Sequence, residues 1–169
     1  LQRVEEGADV LVKELARSHS PNKRQYNIVA EYLNKFNFHE QAIRVYENLE
    51  RRFTLTPEEY NNISDVNLKL NRLDLAEDYI KMALAEKRLP LFLMTYSEVQ
   101  LKKGNNDLAE QALLETLKSD ESNEHANVLL ASVYVKQGRK EDAIKIINQF
   151  DSVQSAHSQK WASLRSQLD

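Results

Sequence analysis

The apolar positions of this 169-residue chain fall into short stripes with helical spacing. Tyr26, Val29 and Ala30 lie on one face of a helix, and Ala42, Tyr46 and Leu49 lie on one face of another, because side chains three and four residues apart meet on a helical surface. The stripes repeat. Ala8, Ala42, Ala76, Ala109 and Ala143 are separated by 34, 34, 33 and 34 residues. A fixed period of this length predicts stacked copies of one supersecondary unit. With each of these alanines counted as the twentieth position of its unit, the eighth position reads Ala30, Ser64, Ser97 and Ala131. The seventh reads Val29, Ile63, Tyr96 and Leu130, and the twenty-fourth reads Val12, Tyr46, Ile80, Leu113 and Ile147. Small residues at the eighth and twentieth positions let two helices approach closely, while large ones a turn away fill the space around them. Each unit is therefore predicted to be a pair of antiparallel helices, and the fold class is all-α.

Turns and caps set the boundaries. The fifteenth position reads Asn37, Asn71, Gly104 and Gly138, residues that tolerate the left-handed conformation that ends a helix. In Thr56-Pro57-Glu58-Glu59, Thr56 is suited to cap a helix, Pro57 to its first position and Glu59 to closing a capping box; Pro90 opens the next unit in the same way. The expected units are residues 23–56, 57–89, 90–123 and 124–157. Residues 1–22 read as the second helix of a partial unit followed by the loop from Ser18 to Asn22, and residues 158–169 as the start of a further unit or a capping helix. The first helix, with Val10, Leu11 and Leu15, is expected to present an apolar face, and a homodimer through such an end is one expected consequence. In this reading the chain is a window cut from a longer array.

Composition narrows the chemistry. Three Gly and three Pro favour helix almost throughout, and the absence of Cys removes disulfides, thiolate metal sites and a cysteine nucleophile. The net charge of −3 gives no electrostatic reason to expect a polyanion, so neither nucleic acid nor an anionic membrane is the expected partner. The longest apolar stretches, near Leu89–Tyr96 and Val128–Val135, fall far short of the roughly 20 residues that span a bilayer. A soluble protein is expected, its compartment (cytoplasmic or periplasmic) open. His19, His39, His125 and His157 are dispersed with no metal-binding spacing, and His39 and His125 read as solvated residues near helix starts. No Gly-rich phosphate loop is present, and carboxylates such as Glu77 read as surface groups pairing along helices, here with Lys81. No cofactor, no metal and no enzymatic activity are expected.

These residues resemble the tetratricopeptide repeat (TPR) family over essentially the whole chain. The resemblance rests on the small eighth position, Gly or Asn at the fifteenth, Ala at the twentieth, and Trp161 with Leu164; Tyr134 to Ile144 carries it most clearly. It implies a right-handed α-solenoid, the TPR superhelix, whose concave wall comes from the first helix of each pair. On that wall it places Asn27, Glu31, Asn61, Asn62, Asp65 and Lys69 in the first two units, and Met94, Glu98, Lys102 and Leu129 in the next two. The first half is amide-rich and polar; the second turns apolar. Tyr26, Tyr60, Tyr134 and Trp161 are expected to pack in the core. The carboxylate clamp of chaperone-tail TPR domains is not reproduced, since only Asn62 fits it.

The expected function is a non-catalytic scaffold that binds a protein or peptide segment in the concave groove. Two alternatives stand beside it: a spacer or self-association element acting through the convex face or ends, and the substrate-recruiting arm of an enzyme lying outside this window.

Overall fold

The computed structural model describes residues 2–18, 21–150 and 157–168. His19, and residues 151–156 of the fourth expected unit, lie outside the described residues. Ten α-helices and no strand occur among the described residues. They fall into two compact units, Leu1–Lys87 and Arg88–Asp169. The first holds α1 (Gln2–Arg17), α2 (Lys23–Lys35), α3 (His39–Arg52), α4 (Pro57–Lys69) and α5 (Leu73–Glu86). The second holds α6 (Pro90–Lys103), α7 (Asn106–Ser119), α8 (Glu124–Lys136), α9 (Lys140–Phe150) and α10 (Ser158–Ser166).

Local chemistry starts and stops these helices. At α4, Thr56 Oγ1 accepts from the Glu59 N–H at 3.3 Å, and Glu59 Oε2 accepts from the Thr56 N–H at 2.7 Å, a closed capping box with Pro57 at the first helical position. A second box, Asn22 with Gln25, opens α2. Leu89, ahead of Pro90, supplies no side-chain cap, so α6 shares only the proline with α4. Asn37, Asn71, Gly104 and Gly138 all have positive φ, from 58° to 83°. Each of these turns is closed by the N–H of the following residue reaching back to a helical carbonyl. Phe38 donates to Leu33 at 2.8 Å, Arg72 to Asn67 at 2.8 Å, Asn105 to Gln100 at 2.9 Å and Arg139 to Tyr134 at 2.8 Å. This six-to-one bond satisfies a carbonyl that the helix end would otherwise leave unpaired.

Packing follows the small residues. In the first unit Ala30, Ala42, Ser64 and Ala76 are completely buried, and Ser64 Oγ donates to the Ala76 carbonyl at 2.7 Å. A side chain as short as serine reaches the facing backbone only where α4 and α5 pack closely. Tyr26, Tyr46, Leu33, Leu49 and Val66 fill the space around these contacts.

In the second unit Ala109 and Ala143 lie at the same depth, against Leu113, Leu130 and Val133. There α10 packs on α8 and α9, with Trp161 stacked on Phe150 at 5.1 Å and its indole N–H donating to Glu124 at 2.8 Å. The opposite side of α10 carries exposed Ser163 and Ser166.

Two substitutions test these constraints. Ala76→Leu should overpack the α4–α5 contact and lower stability by about 2 kcal/mol, while Asn71→Gly, at φ 58°, should leave the denaturation midpoint unchanged or raised. Urea titration followed by circular dichroism reads both.

Candidate functional site

The first helices of the first unit, α2 and α4, share a polar face with a hollow of about 570 Å³. Arg24, Asn27, Ile28, Glu31, Glu58 and Asn62 line it. Hydrogen bonds between residues 31 to 35 apart cross this face. Asn27 Nδ2 donates to Glu59 Oε1 at 2.6 Å, Asn62 Nδ2 to Glu31 Oε1 at 3.3 Å, and Asn34 Nδ2 to Asp65 Oδ2 at 2.9 Å. Lys69 Nζ closes the series, donating to Asp65 Oδ2 at 2.7 Å and to Asn34 Oδ1 at 3.2 Å.

Glu59 anchors one end of this ladder. The residue is 5% exposed, and its carboxylate accepts from the Thr56 N–H, the Asn27 amide and Lys23 Nζ, the last at 2.7 Å. Burial alone would raise its pKa, but the Lys23, Asn27 and Thr56 donors outweigh burial and hold the carboxyl below its ordinary range. At the other end His39 Nδ1 lies 3.0 Å from Asn34 Oδ1. Burial, and then the positive charge of Lys69, lower the His39 pKa, with Asp65 opposing them, so the neutral imidazole is favoured.

The expected site residues divide accordingly. Asn27, Glu31 and Asn62 surround one hollow, and Asp65 and Lys69 are joined through Asn34 along the same pair of helices. Asn61 is 5% exposed, and its Oδ1 is buried without a hydrogen-bond partner. In the second unit Glu98 Oε1 lies 2.9 Å from His125 Nε2, and Lys102 is exposed on α6. Met94 is half-buried against a cluster that contains Leu129, itself only 9% exposed. The apolar surface left open on α6 is mainly Met94 and Leu91.

The two histidines correct an expectation: His39 and His125 are half-buried and hydrogen-bonded rather than simply solvated. Lys23 and Glu59 complete the ladder and were not singled out by the sequence as site residues. The signal for Glu59 lay in its register, since the third position of one unit meets the fifth of the unit before. Among the described residues no group of three His, Asp or Glu could hold a metal ion, and no helix is long and apolar enough to cross a membrane.

Residues 100–168 match the family model described as Tetratricopeptide repeat. No curated protein sequence matches the chain. Solved structures do resemble it. MamA superposes with a TM-score of 0.71 at 15% identity, covering 98% of this chain and 92% of its own. YrrB, described as a TPR protein with an unusual peptide-binding site, gives 0.74 at 15% identity over 98% of this chain and 84% of its own. A tetratricopeptide repeat protein from Parabacteroides merdae ATCC 43184 gives 0.77 at 16% identity over 99% of this chain and 65% of its own. At these identities the likeness is one of fold, an all-α helical repeat.

The Glu59 anchor has a pH signature. A carboxyl whose folded pKa lies below its unfolded value, about 4.3, contributes stability above that pH and loses the contribution as pH falls through the folded value. Denaturation midpoints should therefore fall between pH 6 and pH 3 more steeply for the natural chain than for Glu59→Gln. At neutral pH, Glu59→Ala should cost about 2 kcal/mol by leaving Lys23 and Asn27 without their acceptor.

Proposed function

We propose that this tetratricopeptide repeat protein is a non-catalytic scaffold that holds an extended or helical segment of a protein partner against the faces of its first helices. The observation that carries the reading is the open polar hollow between α2 and α4, bordered by the exposed side chains of Arg24, Ile28, Glu31 and Glu58. Its floor is pre-organised. With Asn27, Asn62 and Glu59 already fixed by hydrogen bonds, a bound segment would order little more than itself.

The charge pattern favours a polypeptide. Glu31, Glu58 and Asp65 stand beside Arg24 and Lys69 on this face, a mixed lining that suits peptide amides and side chains of both signs better than a phosphate backbone. In the second unit, Met94 and Leu91 offer an apolar contact next to the Glu98–His125 pair and Lys102. The described binding property of YrrB supports a peptide ligand for the same fold. Asn27, Glu31, Asn62, Asp65, Lys69, Met94, Glu98 and Lys102 are the proposed contact residues, with Asn61 and Leu129 supporting them from beneath.

Peptides selected from a displayed library on the purified chain, then measured by fluorescence anisotropy, test the reading. Asn62→Arg or Met94→Glu should weaken a selected peptide at least tenfold, about 1.4 kcal/mol, with helical circular dichroism retained. Undiminished affinity in both variants would move binding off these faces and defeat the proposal.

A further inference from the structure

Where the turn from α2 leads into α3, the first unit holds another hollow, of about 540 Å³. Asp9 of α1, His39, Glu40, Gln41 and Arg44 of α3, and Leu70 at the end of α4 line it. It shares no lining residue with the hollow between α2 and α4.

Gln41 is the anomaly in this lining. It is 8% exposed, and its carboxamide has no hydrogen-bond partner among the described residues. A covered amide left unpaired is destabilising, so an apolar side chain would serve packing better. The repeat supplies the comparison. Gln41 is the nineteenth position of its unit, and the same position of the next two units holds Leu75, 48% exposed, and Leu108, 41% exposed. The chain thus places leucine where this position is open and glutamine where it is covered, the reverse of what burial selects. A polar group entering the hollow would resolve the inversion by giving the Gln41 amide its partner.

The rest of the lining sets the charge of that group. The first hydrogen bond of α3 runs from the Ala42 N–H to the Phe38 carbonyl, so the N–H groups of His39, Glu40 and Gln41 stand ahead of it, and Phe38 supplies no side-chain cap. These donors carry the positive end of the helix dipole. Arg44, one turn further along, has a side chain 60% exposed and pairs only loosely with Asp9, at 3.7 Å. The Glu40 carboxylate is already engaged by Arg72, at 2.9 and 3.1 Å. Burial and the charge of Lys69 favour a neutral His39, which brings no further positive charge. The groups left open are therefore donors: backbone N–H groups, the Gln41 amide and the outer N–H groups of Arg44. With Asp9 and Glu40 beside them, a singly charged acceptor suits the hollow better than a phosphate or a sulfate.

We propose that this hollow binds a carboxylate. Its oxygens accept from the Gln41 amide and from the N–H groups at the start of α3, Arg44 turns from Asp9 to pair with it, and Leu70 backs its aliphatic stem. The site is additional to the peptide-binding faces proposed above and is tested without reference to them.

Amide NMR spectra of the isotope-labelled full chain read the site directly. Acetate, titrated against chloride at constant ionic strength, should shift the His39, Glu40 and Gln41 signals along a saturating curve, and acetamide, its neutral isostere, should not. Gln41→Leu, which copies the other units, should weaken acetate at least tenfold while leaving the denaturation midpoint unchanged or raised. A glutamine with only a structural role would move the midpoint and not the affinity. Arg44→Met should weaken acetate to a similar degree, and Asn62→Arg should leave it unchanged. Circular dichroism melting establishes that each variant is folded, and either of the first two alone suffices if the other fails. A short, end-capped alanine peptide with one central glutamate separates the sources: tighter binding than acetate assigns the carboxylate to an acidic side chain of a polypeptide, and no tighter binding assigns it to a small free acid. The proposal is overturned if the three signals stay in place, if acetamide moves them equally, or if folded Gln41→Leu and Arg44→Met titrate like the natural chain. Sulfate binding more tightly than acetate also overturns it, because Asp9 and Glu40 would then not be selecting a single charge.

Discussion

The closeness of the two helices in each pair is the constraint on which the rest of the structure depends. A small residue on one helix against a small residue on the other brings two backbones together, and at Ser64 and Ala76 the approach is close enough for a side-chain hydroxyl to bond the facing carbonyl. Larger residues at either place would push the pair apart and empty the space that Tyr46, Ile63 and Ile80 fill. Because the pair is narrow, the turn between its helices must be short. That is why Asn37, Asn71, Gly104 and Gly138 adopt a backbone conformation that few residues tolerate.

Much of this architecture is legible in the chain because it is enforced locally or periodically. A left-handed turn residue advertises itself, and Thr56-Pro57-Glu58-Glu59 contains its whole capping box within four residues. The box made by Asn22 and Gln25 was equally local, yet in the sequence those residues read only as a loop and the helix after it. What periodicity does not report is depth. Leu129 shares a helical face with half-buried His125 and Ser132, but it packs in a cluster with Met94 and Leu101 that leaves it nearly covered. His125 was legible as a residue near a helix start; its partner Glu98, 27 residues earlier, was not.

The asparagines of the first unit show how groups proposed for binding also hold the structure together. Asn27 and Asn62 read as amides available to a ligand, and each donates to a carboxylate of a neighbouring helix, as Asn34 also does. Such bonds are modest individually, of order 1 kcal/mol. Here they hold α2 and α4 in register at the surface, where apolar packing is thinnest, and so keep the hollow's walls in place. The wall's own amides and carboxylates are thus already engaged in holding its two helices together.

The stacking of Trp161 on Phe150 also makes the molecule optically lopsided. This is the chain's single tryptophan, it is 5% exposed, and its indole N–H is bound to Glu124. Tryptophan emission therefore watches α10 leave α8 and α9. The helices of the ladder carry no tryptophan, and tyrosines such as Tyr26, Tyr32 and Tyr60 are the chromophores on α2 and α4.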